Sequence, residues 1–281
     1  MTKSIYNTYF HFHMDTRPEF STDLLNEDTA KTELCINNET LNIDQLSDFK
    51  KLTKVWVYTI NQKQFDDIVS RINPEMLLIY GIRANDLTAL AKLDNLKHLC
   101  LDWNTKATSL WDFSQNGQLE TLAIRDFSAL RDISELSRAS TLKGLSLEGG
   151  MWKSLQLNSL EPLVNMTSLK YLSLHNLKVV NGSIRSLKSL KQLEELAISN
   201  QFPTEDYAFL SVHLPDVKCS KFMAYQSFSP AIEGKNIMVI GKRKPLLSSA
   251  TDKKRLMKYE CEFEQLKEMF RQELNLGGSK L

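Results

Sequence analysis

The stretches LETLAI (119–124), LKGLSL (142–147), LKYLSL (169–174) and LEELAI (193–198) decide how this chain of 281 residues folds. They share one template, in which the first, fourth and sixth positions are apolar. Other copies of the template, some with substitutions, are LKHLCL (96–101), LTKVWV (52–57), LPDVKC (214–219), PEMLLI (74–79) and KTELCI (31–36). The sequence therefore contains nine repeating units, which start at residues 31, 52, 74, 96, 119, 142, 169, 193 and 214.

The periodicity within each unit predicts an α/β solenoid. Positions four and six alternate, so their side chains leave a strand on one face and enter the interior. The strands stack in parallel, and each unit buries its apolar face only against its neighbours. The segments between strands carry a second apolar set at a spacing near three, which predicts short helical or 3₁₀ turns on the convex side. This set includes Leu87, Leu90, Leu93, Ile133, Leu136, Leu160, Leu163, Ile184, Leu187 and Leu190.

Unit starts 21 to 27 residues apart are typical of leucine-rich repeats, and the chain resembles that family from about residue 31 to residue 222. The resemblance implies a curved parallel sheet on the concave face, and it is strongest to the roughly 22-residue bacterial and intracellular class. The family usually has Asn at the ninth position of each unit, where its amide satisfies backbone groups. In this chain Asn104 is the only asparagine at the ninth position. Most other units have apolar residues there, such as Ile60, Ile82 and Phe127. The sequence is therefore interpreted as a divergent member.

The two ends are predicted to cap the solenoid, because terminal units would otherwise expose the core. We assign residues 1–30 to an N-terminal cap with an edge strand at 5–14, and residues 223–281 to a C-terminal strand-helix cap. An amphipathic helix over 251–274 is expected to pack on the last repeat rather than bind a partner. His11 and His13 share one face of the N-terminal strand, but no third metal ligand has suitable spacing, so solvent-facing histidines are favoured.

Positions five and seven of each strand project onto the concave face, and position eight lies at its rim. The N-terminal half of this face is predicted to carry a cluster of large apolar and aromatic side chains. Exposed aromatic clusters are typical of binding hot spots. Alternatively, the N-terminal segment folds over the cluster and buries it. The cluster consists of Trp56, Tyr58, Leu78, Tyr80 and Trp103.

The middle of the concave face is predicted to be charged, with Asp102, Asp126 and Glu148 around Arg125 and with His175 beside Glu148. Opposite charges that face one groove suit a complementary partner. As a less favoured alternative, Asp126, Glu148 and His175 form an acid/base or metal site. Catalysis normally needs an enclosing pocket, and none of the common nucleophile, phosphate-loop, zinc or dinucleotide motifs occurs. An enzyme is therefore not expected.

Composition limits the class of partner and the location. The formal net charge is +1, from 35 basic and 34 acidic residues, so no global field attracts nucleic acid or a membrane. No stretch approaches the roughly 18 consecutive apolar residues of a membrane span, and the N-terminus lacks the features of a signal peptide. The four cysteines are widely spaced. We therefore expect a cytoplasmic protein with free thiols and no cofactor.

These features favour a non-catalytic module that binds a protein partner on its concave face and is a monomer when alone. Nucleic acid, membranes and small-molecule substrates are not expected as partners. Resemblance to compact bacterial leucine-rich-repeat proteins suggests an immunity protein that inhibits a toxin, or alternatively a cytosolic adaptor or scaffold. Fold by itself does not decide between these roles.

Overall fold

The computed structural model describes residues 17–180 and 182–278, so the predicted strand at 5–14 and its two histidines lie outside the described residues. Ten strands precede the C-terminal region. They are β1 (Glu33–Asn37), β2 (Lys54–Asn61), β3 (Met76–Arg83), β4 (His98–Asn104), β5 (Thr121–Phe127), β6 (Gly144–Glu148), β7 (Leu155–Leu157), β8 (Tyr171–His175), β9 (Leu177–Val179) and β10 (Glu195–Ile198).

Eight of these strands form one parallel sheet in the order β1-β2-β3-β4-β5-β6-β8-β10. Each begins two residues after the start of a unit predicted from the sequence. The register is the same throughout, so that position six of one unit lies beside position six of the next, as in Ile79 beside Leu101 and Leu101 beside Ile124. The short strands β7 and β9 pair with each other in a second parallel sheet. The repeat template therefore predicts the sheet and its register.

The ninth predicted unit does not contribute a strand. Lys218 forms a single parallel bridge with Glu195 at the edge of β10. The chain then turns at Ser220 and Lys221 toward the C-terminal region, so the pairing with β10 does not continue beyond this bridge. The parallel sheet of the described residues therefore has eight strands where the sequence predicts nine units.

The convex side is built mainly from short 3₁₀ helices, as the spacing of the second apolar set predicts. In these turns Leu90, Leu136, Leu163 and Leu187 are buried in the solenoid core. Two connections are α-helical instead, α1 (Gln62–Val69) and α2 (Thr204–His213). The 3₁₀ helices between the strands span Ile43–Asp48, Thr88–Lys92, Phe113–Gln115, Ser134–Arg138, Glu161–Asn165 and Arg185–Ser189, and a further one, Leu24–Asn26, precedes β1.

The ninth position of the units shows how the turns are satisfied without an asparagine ladder. Asn104 is buried, and its amide donates to the Ala84 carbonyl over 2.8 Å while its oxygen accepts from the Lys106 and Ala107 backbone N–H groups. In the neighbouring units Ile82 and Phe127 occupy the same position and are buried in the core. Most turns are therefore held by apolar packing, although the Gln201 side chain, also at the ninth position, accepts from the Leu177 N–H over 2.9 Å.

The C-terminal region covers the end of the solenoid. Strands β11 (Tyr225–Ile232), β12 (Lys235–Val239) and β13 (Leu246–Leu247) form an antiparallel sheet, and the helix α3 (Lys253–Gly278) follows. Phe263 and Phe270 of α3 are buried. The Phe270 ring meets the Phe209 ring of α2 edge-on, with centroids 5.3 Å apart. The helix therefore closes the solenoid core at the end opposite β1.

Candidate binding surface

The position-seven side chains form a column along the concave face, in the order that the template predicts. The parallel register places the position-seven residues beside one another on successive strands, so that Asp102 lies beside Arg125, Arg125 beside Glu148, and Glu148 beside His175. The aromatic residues Tyr58 and Tyr80 precede them in the same column. The sheet therefore brings the predicted aromatic and charged residues onto one face.

The predicted exposure of the aromatic cluster is wrong for three of its members. Only 3% of Trp56, 9% of Tyr58 and 1% of Leu78 is exposed. These side chains form a second apolar cluster on the concave side together with Cys35, Cys100, Ala123 and Tyr171. The face is therefore closed over Trp56 and Leu78, and a partner cannot reach them without rearrangement.

Residues before β1 contribute to this closure. The Phe20 ring meets the Tyr58 ring edge-on, with centroids 5.2 Å apart. The Arg17 guanidinium lies 4.3 Å from the centroid of Phe20 and 5.5 Å from that of Tyr58. The alternative in which the N-terminal segment folds over the cluster therefore holds for Tyr58.

Trp103 differs from these residues because it lies at the rim. Its side chain is 41% exposed, and its ring packs against the partly exposed Tyr80 with centroids 5.9 Å apart. The Trp103 backbone has a φ of 59°, in the left-handed region that large side chains rarely adopt. The turn thus carries an indole at a position where glycine would fit with less strain. Thr59, Asp126 and Asn176 have the same left-handed backbone at the same position of their units, so the conformation belongs to the repeat and the exposure of the indole is what distinguishes Trp103.

The charged residues form a connected polar group in the middle of the face. Arg125 Nε lies 3.6 Å from Asp102 Oδ2, and its guanidinium also donates to Cys100 Sγ. Glu148 Oε1 accepts from the Ser146 hydroxyl at 2.5 Å and from the Ser173 hydroxyl at 3.1 Å.

Burial raises the pKa of the Asp102 carboxyl, and the Arg125 guanidinium opposes that effect. The nearby Asp126 and Glu148 carboxylates raise it further. The group thus contains three carboxylates and one guanidinium, which makes the middle of the face acidic.

The same residues do not form a metal site. Within residues 17–180 and 182–278, no three His, Cys, Asp or Glu side chains are grouped so that they could hold a metal ion. His175 instead lies 3.4 Å from the Ser199 hydroxyl through its Nδ1 atom. A cleft of about 350 Å³ lies at the C-terminal cap and is lined by residues such as Val239, Tyr259 and Leu266, with none of the concave charges.

Two exposed residues outside the predicted set lie on a loop after β6. Met151 is 86% exposed and Trp152 is 91% exposed. The sequence contains a signal for this loop, because the unit that starts at 142 is 27 residues long and is the longest of the series. The residues lie between strands, where the template assigns no orientation, so the repeat pattern did not select them.

Solved structures with the same fold are leucine-rich-repeat proteins. A leucine-rich-repeat protein from Leptospira interrogans superposes with a TM-score of 0.56 at 18% identity, over 72% of this chain and 52% of that chain. An internalin from Listeria monocytogenes gives a TM-score of 0.43 at 18% identity over 67% of this chain and 60% of that one. Internalin C2 of the same organism gives 0.43 at 20% identity over 58% and 68%. The match thus spans only about half to two thirds of these proteins.

Neither protein-family models nor curated proteins match the sequence. The structure and the Leptospira match together define the fold as a leucine-rich-repeat solenoid, divergent in sequence. In the described ranges, no helix combines the length and apolarity that a membrane span requires.

Proposed function

We propose that this protein binds a folded protein partner through the rim and the middle of its concave face, and that it is not an enzyme. The observation that carries the proposal is the exposed Trp103, held at the rim beside Tyr80 and next to the acidic group. Tryptophan is strongly enriched among the few residues that dominate interface energies. Repeat solenoids use long, rigid surfaces of this kind for recognition.

The charges support a partner with a basic face. Asp102, Asp126 and Glu148 outnumber the single guanidinium of Arg125, so Lys or Arg side chains of a partner would find complementary charge. The same carboxylates repel phosphate, which disfavours nucleic acid on this surface. His175 is exposed at the end of the group and extends the polar surface.

The finer part of the proposal concerns role and location. We propose a cytoplasmic protein that is monomeric when alone and blocks its partner, as an immunity protein blocks a toxin. The four free cysteines support a reducing compartment. Co-expression with the products of neighbouring toxin genes tests the immunity role by cell survival. An adaptor would leave the partner active when bound. Failure of this chain to rescue the cells would therefore contradict the inhibitory role.

The binding proposal is tested by quantitative affinity capture from the source cell with the wild-type chain and three variants. Trp103→Ala and Glu148→Lys should each reduce recovery of a specific protein by about tenfold or more, since interface hot spots contribute about 2 kcal/mol or more. Lys92→Ala, an exposed change on the convex side, should leave recovery unchanged. Equal recovery with all four chains would place the binding site elsewhere.

A further inference from the structure

We infer that Met151 and Trp152 form a preorganised anchor that inserts into an apolar pocket of a folded, basic protein partner. The inference rests on the proposed binding function and adds a contact site that the repeat pattern does not reveal. Trp152 is the most exposed large apolar side chain among the described residues, and Met151 beside it is nearly as exposed. An adjacent pair of this kind presents apolar surface that a soluble protein normally buries.

The loop that carries the pair is held by the next unit. The Asn176 side-chain amide donates to the Gly150 carbonyl over 2.7 Å, and the Ser154 hydroxyl donates to Asn176 Oδ1 over 2.9 Å. The Gly149 N–H donates to the His175 carbonyl over 2.9 Å. Three contacts on both sides of Met151 and Trp152 therefore fix the base of the loop.

Close packing at the base has the same effect. A Cβ atom on Gly150 would overlap the Asp126 carboxylate, and one on Gly149 would overlap the Asn176 carbonyl oxygen. The loop thus lies directly against the units on both sides. A fixed base reduces the ordering entropy that a flexible loop loses when it binds, so more of the contact energy of the two side chains contributes to affinity.

The surroundings of the loop favour a protein pocket over other binding partners. Gly150 lies on the Asp126 carboxylate, and Glu148 immediately precedes the loop. Lys153, next to Trp152, is the one basic residue of the loop itself, so the two carboxylates leave a net negative charge there that opposes phosphate groups on nucleic acid or on anionic membranes. A projecting indole is complementary to a recess, and a folded protein can place Lys or Arg beside that recess to face Asp126.

The anchor also continues the proposed surface. Trp103 lies near the end of β4 and the anchor loop follows β6, so the two tryptophans belong to units two strands apart. Two strand spacings are roughly 10 Å. One partner can therefore contact both the rim at Trp103 and the anchor.

The test replaces Trp152 with the photocrosslinker p-benzoylphenylalanine in the full chain, expressed in the source cell, with the same residue at Lys92 as the convex control. Irradiation should give a protein adduct at position 152 that is absent at position 92. An excess of unlabelled wild-type chain should suppress the adduct, whereas the Met151→Ala, Trp152→Ala chain should compete about tenfold less well or worse.

Several results would overturn the inference. They are the absence of a protein adduct, an adduct only with a second copy of this chain, equal competition by the double-alanine chain, and cosedimentation of wild-type chain with phosphatidylserine vesicles that the double-alanine change abolishes. The Trp103→Ala and Glu148→Lys chains separate the two proposals. If these chains compete fully while the double-alanine chain does not, the anchor stands and the concave site fails.

Preorganisation has its own readout. Asn176 has a left-handed backbone with a φ of 46°, which glycine adopts readily, so Asn176→Gly is compatible with this conformation and removes the side-chain hydrogen bonds. This chain should remain folded by circular dichroism but compete about three- to tenfold less well than wild type, because the loop must be ordered on binding. Full competition by Asn176→Gly would show that the Asn176 contacts do not preorganise the anchor.

Discussion

At the residue scale, the eighth position of five units has a left-handed backbone at or near the end of the strand. Thr59, Gly81, Trp103, Asp126 and Asn176 all have positive φ values, between 46° and 76°. Only one of them is glycine, although a left-handed backbone costs other residues about 1–2 kcal/mol. The template predicts where this turn falls, but it does not predict the backbone conformation, because the strain follows from stacking one unit on the next.

Gly81 gives a direct measure of that constraint. Gly81 has a φ of 76°, and a Cβ atom added to it would lie 3.3 Å from the Thr59 Cα atom. We therefore expect Gly81→Ala to lower the free energy of unfolding by about 1–2 kcal/mol. Gly117→Ala is the matched control, since its Cβ would meet no atom within 4 Å. That change should be neutral or stabilising by about 0.5 kcal/mol. Equal effects of the two changes in urea unfolding would contradict this explanation.

Cys100 should make the fold sensitive to alkaline pH. Burial raises the pKa of its thiol to about 11, against the opposing effect of Arg125. An unfolded cysteine ionises near about pH 8.5, so the unfolded state loses its proton first as the pH rises. Stability linked to this thiol is therefore complete below about pH 8.5 and decreases up to about pH 11.

The expected loss at Cys100 is about 1–2 kcal/mol at about pH 10 relative to neutral pH. Urea unfolding of wild type and Cys100→Ala at both pH values measures it, and the alanine chain should lose less stability on the alkaline side. Cys261→Ala, at an exposed thiol, serves as the control with wild-type behaviour. An unchanged pH dependence in Cys100→Ala would exclude this thiol as the cause.

At the scale of the elements, the periodic pattern predicted the strands better than their connections. All eight strands begin at the same position of their units because buried side chains at positions four and six leave no alternative register. The turns that follow depend on side-chain contacts between units, such as Asn176 with the Gly150 carbonyl. A pattern within one unit contains no information on such contacts, which is why the Trp152 loop was missed.

The C-terminal helix α3 gives an element-scale prediction that separates capping from partner binding. Phe270 is buried against Phe209, whereas Leu274, one turn further on, is about half exposed. Phe270→Ala should therefore destabilise the chain by about 3–5 kcal/mol, the usual cost of a buried phenylalanine. Leu274→Ala on the same helix should cost less than about 0.5 kcal/mol. Thermal or urea unfolding measures both, and similar small losses would show that α3 does not close the core.

At the scale of the whole molecule, the direction in which a side chain points and the extent to which it is exposed have different origins. Strand alternation places Trp56 and Tyr80 on the concave side, and the register agrees. Whether such a side chain is exposed depends on what packs over it. Phe20 and Arg17 precede the first repeat unit, and they contact Tyr58 and help to close the N-terminal half of the face. Trp103 at the rim remains exposed. The sequence therefore predicts the face but not its accessible part.

The solenoid architecture also predicts how far along the sheet a core substitution lowers local stability. Leu145 in β6 is fully buried and packs in the ladder of position-four residues between β5 and β8. Leu145→Ala should cost about 2–5 kcal/mol. Because each unit contacts only its neighbours, the loss should appear as faster amide hydrogen exchange in β5, β6 and β8, with β1 and β2 much less affected.

Leu34→Ala in β1 provides the reciprocal case, since Leu34 is almost as completely buried in the first strand of the sheet. Its effect on exchange should be concentrated in β1 and β2 and should leave β8 and β10 protected. A uniform rise in exchange across the sheet in both variants would mean that the units unfold together. In that case the closed second cluster on the concave side, whose buried members come from six strands between β1 and β8, would be the structural reason for the cooperativity.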